Sequence, residues 1–133
     1  MTALAVSTER VLEGHATPAQ EGGFLYLPFE MPEGAGRLDV RYEYSDAIGS
    51  DPHLTGGNTL DIGLFDERGI AFMKAGFRGW SGSARREFCV TPAAATPGYL
   101  PGPLTPGLWY IFLGLYKVGP RGCDYRVTLR FSP

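Results

Sequence analysis

The sequence of 133 residues lacks any apolar run long enough to cross a membrane, and its first residues do not predict a secretory signal. A membrane-spanning helix needs about 18 or more consecutive apolar residues, and a signal peptide needs a basic start followed by about 7–15 apolar residues. Here Glu9 and Arg10 precede any apolar run of useful length. We therefore expect a cytoplasmic protein with no transmembrane segment.

Histidine and cysteine are scarce, with two residues of each. His15 and His53 stand apart, without the clustered His, Asp and Glu that metal-dependent hydrolysis needs. Cys89 and Cys123 lie inside apolar, strand-like runs, which favours buried free thiols over a disulfide. The sequence therefore predicts neither a zinc site nor a disulfide framework.

A nucleophilic serine is not supported either. Ser81 lies in the tetrapeptide Gly-Trp-Ser-Gly at positions 79–82. The nucleophile elbow of serine hydrolases needs a glycine two residues away on each side, with a strand before it and a helix after it. Here the second glycine is adjacent to Ser81 and no helical pattern follows. No catalytic residue is predicted.

Neither sign of charge is in large excess, because 12 basic residues oppose 14 acidic ones. The net charge of −2 argues against general binding to nucleic acid or to an anionic membrane. Four acids, Asp46, Asp51, Asp61 and Asp66, could supply oxygen ligands to a structural calcium ion. The competing interpretation is that these acids bond to their own turns. No other cofactor is expected.

Strand patterns and turn residues make up most of the chain. Glycine and proline number 19 and 11, which predicts many turns and little helix. Several segments alternate polar and apolar residues, as half-buried strands do. The predicted strands are residues 11–15, 24–31, 37–44, 59–65, 70–73, 87–91, 108–118 and 123–131. About eight strands at this spacing predict an all-β fold, an antiparallel β-sandwich or jelly roll.

The most apolar segment, residues 108–118, is expected to form a central strand. Its alternation predicts that Trp109, Ile111, Leu113 and Leu115 point into the core. Pro28 cannot donate to a neighbouring strand, so it marks segment 24–31 as an edge or a bulge.

Two loops depart from the strand pattern, at residues 78–86 and 92–107. The second has 16 residues, of which five are proline and three are glycine. Loops longer than about 12–15 residues are usually functional or disordered, and the prolines favour a stiff, shaped loop. Only a short predicted strand separates the two loops. We therefore expect them to lie side by side, with Tyr99 approaching Trp80.

Arginines and aromatic residues concentrate in these loops and give the candidate site. The candidate binding or docking residues are Arg78, Trp80, Ser81, Arg85, Arg86 and Tyr99. Such residues suit stacking against a sugar ring or binding an anion. They also suit docking of a protein partner, where Trp, Tyr and Arg are frequent anchors. A third interpretation is that the aromatic residues merely cover the core.

Five segments together resemble a known domain. They are RGWSGSAR at 78–85, ATPGYLPGP at 95–103, PGLWYIFLGLYK at 106–117, YLPFEMP at 26–32 and LDIGLFD at 60–66. These motifs resemble the N-terminal domain of CehA/McbA-type metallohydrolases, which belong to the polymerase-and-histidinol-phosphatase (PHP) superfamily. The resemblance implies a β-sandwich that precedes a PHP domain, which carries the metal site and hydrolyses phosphate or related esters. That catalytic domain opens with His-x-His, which does not occur in this sequence, so no metal ligand is carried over.

Two functions follow as hypotheses for residues 1–133, taken as one β-sandwich domain without the catalytic PHP domain. The first is a noncatalytic accessory domain that packs against a metal-dependent hydrolase domain, or another protein, through the two loops. The alternative is a ligand-binding module that stands alone, with carbohydrate as the first ligand to consider. Catalysis by this chain alone is not expected.

Overall fold

The computed structural model describes residues 3–133 as eight β-strands and one short 3-10 helix, Pro18–Gln20. The strands are β1 Thr8–Ala16, β2 Phe24–Met31, β3 Arg37–Tyr44, β4 Thr59–Phe65, β5 Phe77–Gly82, β6 Glu87–Val90, β7 Gly107–Lys117 and β8 Cys123–Ser132. Within this range no helix has the length and apolar character needed to cross a bilayer.

The strands form two four-stranded sheets, which we call sheet A, in the order β1-β8-β3-β6, and sheet B, in the order β2-β7-β4-β5. The pairs β1–β8, β2–β7, β3–β6 and β4–β5 are all antiparallel. They are the pairs of one long hairpin that has been folded over into two sheets, which is the jelly-roll arrangement. The predicted all-β sandwich is confirmed, and β2, with Pro28, is an edge strand as expected.

The predicted strand at 70–73 is wrong. Residues 66–76 form turns, and Ile70 and Met73 are 44% and 69% exposed. The strand that returns along β4 is β5, which occupies the first half of the predicted loop 78–86. Gly79 and Gly82 suggested a loop, and both have positive φ, 137° and 57°. They are accommodated in the strand because the β4–β5 pairing contains register shifts beside them.

The core lies between the two sheets, and β7 crosses its centre. Trp109, Ile111, Leu113 and Leu115 are each at most 1% exposed, so the predicted inward face of this strand is confirmed. Residues of sheet A, including Val127 of β8, close the core from the other side. The alternate residues of β7 consequently point to the outer surface of sheet B.

Both cysteines are free thiols, as predicted. Cys123 is buried, and this burial raises the pKa of its thiol to about 11. Cys89 is only partly buried, contrary to the expectation. It pairs with Asp39 across β3 and β6, and this register places it on the outer surface of sheet A.

Two buried polar residues attach the long β3–β4 loop to the sandwich. The Lys117 ammonium, 8% exposed, donates to the backbone carbonyls of Gly49, Asp51 and Leu54. The Asn58 side chain donates to carbonyls of Ser45 and Gly122 and accepts from the amide of Gly119. These bonds satisfy groups whose burial would otherwise be costly, so both residues are structural.

Candidate functional site

The two loops singled out in the sequence do lie side by side. The Trp80 amide donates to the Gly98 carbonyl at 3.1 Å, and the Leu100 amide donates to the Arg78 carbonyl at 2.9 Å. Gly79 is needed at this contact, because a Cβ there would lie 2.6 Å from Tyr99 Cα. Part of the proline-rich loop therefore runs along the free edge of β5.

Arg78 fixes the proline-rich loop, residues 92–107, to β5 through its buried side chain. Its side chain is almost fully buried and donates to the carbonyls of Leu100, Gly102 and Pro103 at 3.0–3.1 Å. Its guanidinium also lies 3.4 Å from the Asp66 carboxylate and 5.1 Å from the centre of the Trp109 ring. The guanidinium thus makes most of its hydrogen bonds within the protein. That Arg78 contacts a ligand or partner stays a prediction, which the burial of its side chain does not favour.

Tyr99 and Ser81 are also taken up by the fold. Tyr99 is 5% exposed, and its ring stacks on Phe88 with centroids 3.7 Å apart. The Tyr99 hydroxyl is 2.8 Å from Ser81 Oγ and donates to the Ile62 carbonyl at 3.4 Å. Burial raises the pKa of Tyr99, which keeps the hydroxyl protonated. Tyr99 therefore belongs to the core, and Ser81, which is partly buried, bonds to it from β5.

The two remaining arginines of the predicted site, Arg85 and Arg86, lie at sheet A. Arg86 is placed over the rings of Tyr44 and Tyr42, at 4.5 and 5.6 Å from their centres. Arg85 lines a groove of about 430 Å³ on the outer surface of sheet A. The predicted six-residue site is therefore divided between two faces, because successive strand residues point in opposite directions. Only Trp80 reaches the outer surface of sheet B.

That outer surface is the most unusual feature of the molecule. Backbone pairing places Phe24, Gly114 and Asp61 in one row across β2, β7 and β4. The next row contains Tyr26, Phe112, Gly63 and Trp80, and the third contains Pro28, Tyr110, Phe65 and Phe77. Phe72 of the β4–β5 loop adds its ring to these rows. We call the rings that contact one another here the aromatic face: Phe24, Tyr26, Phe65, Phe72, Phe77, Trp80 and Phe112.

Phe112 is the centre of the aromatic face. Its ring lies 4.6 Å from that of Phe65 and stacks on the Trp80 indole at 5.1 Å. The ring lies flat because Gly63 has no side chain, and a Cβ at Gly63 would come within 2.1 Å of it. Around this packed centre, Phe24 and Phe72 remain 54% and 56% exposed. The face is thus rigid in the middle and open at its rim.

A small pocket opens at one end of the aromatic face. It has a volume of about 200 Å³ and is lined by Phe24, Asp61, Trp80, Gly114 and Tyr116, among others. Among residues 3–133, Asp61 forms no hydrogen bond or ion pair through its carboxylate. Burial raises the pKa of this carboxyl group. The carboxylate is therefore partly desolvated, and no cation within residues 3–133 pairs with it.

The four acids considered for calcium do not come together. Asp46 pairs with Arg121 at 3.0 Å, Asp51 accepts from the His53 amide at 2.9 Å, and Asp66 pairs with Arg68 at 2.8 Å. Asp61 lies on the aromatic face. In the part of the chain that the structure describes, no three His, Cys, Asp or Glu residues are arranged to hold a metal ion. Two of the acids, Asp51 and Asp66, bond to backbone amides of their own turns, whereas within residues 3–133 Asp46 and Asp61 do not.

Sequence reasoning missed the aromatic face, although two signals pointed to it. Segment 24–31 has apolar residues at nearly every position, so aromatic residues occupy both of its faces. Phe112 and Gly114 alternate with the core residues of β7 and are themselves apolar. A strand with one solvated face would carry polar residues at these positions.

Comparisons with known proteins give no family. No protein-family model matches the chain, and no curated protein sequence does. Among solved structures, the chain is similar to PliG of Aeromonas hydrophila, described as a periplasmic inhibitor of g-type lysozyme. The two are 14% identical with a TM-score of 0.40, and the match covers 96% of this chain and 86% of that one. A likeness of this degree supports no assignment of function.

Proposed function

We propose that this protein is a noncatalytic β-sandwich that binds another protein through the aromatic face. The observation that carries the proposal is the cluster of rings on the outer surface of sheet B, whose rim residues Phe24, Tyr26 and Phe72 are 44–56% exposed. Contiguous exposed apolar surface on a folded protein marks an interaction site more often than not. Aromatic residues are also enriched at the centres of protein interfaces.

The packing of the face supports tight binding. Side chains that are mobile in the free protein lose conformational entropy when a partner immobilises them, at about 0.5–1.5 kcal/mol each. Here Phe112, Phe65 and Trp80 already hold one another in place. The partner would therefore meet a largely ordered surface, and less of its contact energy would be spent on ordering.

The sequence resemblance makes a PHP-type metal-dependent hydrolase domain the first partner to test. The resemblance rests on the five sequence motifs alone. The proposed docking surface differs from the one expected, because Arg78 and Tyr99 are buried and Ser81 bonds to the Tyr99 hydroxyl. Trp80 is the one residue of the expected site that the proposed surface retains.

Carbohydrate binding is the second candidate, and the pocket at Asp61 favours it. A half-buried indole beside a carboxylate offers a stacking surface and a hydrogen-bond acceptor, which sugar rings use together. We rank it second because the aromatic face extends well beyond the pocket, to Phe65, Phe72 and Phe77.

The test is a titration of this protein into a PHP-type hydrolase domain that has been produced without its own N-terminal sandwich. We expect Tyr26→Ser and Phe72→Ser each to weaken binding by about tenfold, since interface aromatic residues contribute more than about 1 kcal/mol when they act as anchors. The matched control is Val11→Ser, because Val11 is also half-exposed but belongs to sheet A.

Three results would contradict the proposal. The first is undetectable binding to the hydrolase domain, the second is binding that Tyr26→Ser and Phe72→Ser leave unchanged, and the third is equal weakening by Val11→Ser. Binding to glycans such as cellulose or xylan oligosaccharides, in the absence of binding to the domain, would establish the second candidate instead.

A further inference from the structure

We propose that the pocket at Asp61 receives one cationic side chain, a lysine or an arginine, from the protein partner. The inference rests on the proposed function, which it deepens by naming the chemistry that the partner must present. Its basis is the meeting of an unpaired carboxylate with aromatic walls on the outer surface of sheet B.

The pocket is formed by the register of three strands. Gly114 of β7 lies between Phe24 of β2 and Asp61 of β4. A Cβ on Gly114 would lie 3.1 Å from Trp80 Cη2 and 3.3 Å from both Asp61 Cβ and Phe24 Cε1. The space above Gly114 is therefore an open depression bordered by two aromatic rings and an acid, and a side chain at this position would occupy it.

The Asp61 carboxylate has the properties of a cation-binding group. Asp61 Oδ1 and Trp80 Nε1 both lie beside Gly82. A Cβ built on Gly82 would be 3.7 Å from the carboxylate oxygen and 3.6 Å from the indole nitrogen. Lys117, three residues after Gly114 on β7, directs its ammonium to three backbone carbonyls instead. A partly desolvated carboxylate gains from an approaching positive charge, which replaces the water that burial removed.

Asp66, in contrast, is an acid whose counter-charges lie within the protein. It follows β4 by one residue, and its carboxylate is paired with Arg68 at 2.8 Å and with Arg78 at 3.4 Å. Asp61, on the same strand, has no such pairing among residues 3–133. Asp61 is thus an acid whose carboxylate is open to a cation from another molecule.

The walls and the size of the pocket favour one side chain over a larger ligand. Lysine and arginine cations bind over the faces of Trp, Tyr and Phe, and the attraction is largest where water is excluded. Trp80, Phe24 and Tyr116 all line this pocket. Its volume of about 200 Å³ is below the roughly 300–1,000 Å³ of typical small-molecule sites. A single side chain from a docked protein fits that space.

The experiment titrates the isotope-labelled protein with model compounds and follows the Trp80 indole N–H and the Gly114 amide by NMR. The probes are Nα-acetyl-lysine amide, Nα-acetyl-arginine amide, the neutral Nα-acetyl-norleucine amide and methyl β-glucoside. We expect a cationic probe to bind at least about fivefold more tightly than norleucine, the ratio given by a cation–π contribution of about 1 kcal/mol. Asp61→Asn should remove that preference.

The control is Glu87→Gln, which neutralises an exposed acid on sheet A and should leave the preference intact. Asp61→Asn is expected to fold, because the side chain makes no bonds that the amide would lose, and its amide spectrum checks this. Equal binding of lysine and norleucine, tighter binding of the glucoside, or an unchanged preference in Asp61→Asn would each overturn the proposal.

Failure of this proposal is distinguishable from failure of the proposed function. If Tyr26→Ser weakens binding of the hydrolase domain but Asp61→Asn does not, the aromatic face binds the domain. The pocket then receives no cationic side chain from that domain. If the cationic probes bind at Asp61 but no variant of the aromatic face affects the domain, the pocket is a cation site and the docking proposal is wrong.

Discussion

The outer surfaces of the two sheets have opposite chemistry, although they belong to one sandwich. On sheet A, charged side chains pair across the strands, as in Glu13–Arg126 at 3.1 Å and His15–Asp124 at 2.7 Å. On sheet B, the equivalent positions carry aromatic rings and glycines. Surface ion pairs add little to stability but keep a sheet face solvated. Sheet A therefore has the surface of a solvated protein, whereas sheet B has the aromatic composition that is enriched at the centres of interfaces.

The largest expected effect concerns the core that both surfaces share. Leu113→Ala should lower the free energy of unfolding by about 2–5 kcal/mol, because Leu113 is fully buried between the sheets. Urea denaturation measures the change. A loss below about 0.5 kcal/mol is typical of surface positions and would mean that the inner and outer faces of β7 have been exchanged.

Asp66 follows β4 of sheet B and pairs with Arg78, the residue that binds the proline-rich loop. Asp66→Asn should cost about 3 kcal/mol, the low end for breaking a buried ion pair, because Arg78 keeps its bonds to three carbonyls. Burial by itself would raise the Asp66 pKa, but bonds from Arg68 and Arg78 hold the pKa below its ordinary value. A group with a lowered pKa stabilises the fold above about pH 4 and loses this contribution as pH falls through the folded pKa.

Acid denaturation of the wild type and of Asp66→Asn tests this sign. The stability difference between them should be largest at neutral pH and should shrink below about pH 4. A difference that grows on acidification would contradict the assignment of Arg68 and Arg78 as the partners of Asp66.

A pair of glycines sharpens the comparison of the sheets. In Gly63→Ala, the new Cβ would meet the Phe112 ring at 2.1 Å and the Gly79 carbonyl at 2.8 Å. Crowding of this kind costs about 1–3 kcal/mol. In Gly14→Ala, in sheet A, the nearest atom is the Tyr125 hydroxyl at 2.4 Å, the end of a partly exposed side chain that can swing away. We expect the melting temperature to fall clearly more for Gly63→Ala, and equal losses would show that the aromatic rings are not tightly packed.

The smallest effect on stability is expected at Asp61. Burial raises the pKa of this group. Its contribution to stability is therefore present below the unfolded pKa and is lost as pH rises through the folded pKa. At pH 7, Asp61→Asn should leave the protein as stable as the wild type or slightly more stable, by thermal denaturation. A clear loss of stability at pH 7 would mean that the carboxylate has a partner within the protein.

The fold could be predicted from the sequence because strand alternation and turn residues are local signals. The inward residues of β7 and the edge position of Pro28 follow directly from such patterns. β5 could not be predicted in this way, since Gly79 and Gly82 suggest a turn and only pairing with β4 makes the segment a strand.

The candidate site was harder to predict because arginine and aromatic residues serve both binding and burial. Arg78 and Tyr99 have the side chains of interface anchors, yet the proline-rich loop covers Arg78 and places its own Tyr99 in the core. The aromatic face arises from residues of four different strands, and only the register brings them together. The cytoplasmic location expected from the sequence stays a prediction.

The measurement that tests the central claim most directly is an NMR footprint of the protein bound to a PHP-type hydrolase domain. Our account predicts that amide signals shift in β2 and β7 and around Trp80, while those of β1 and β8 on the charged surface of sheet A stay in place. Shifts confined to sheet A, with the amides around Phe112 and Trp80 unaffected, would contradict it.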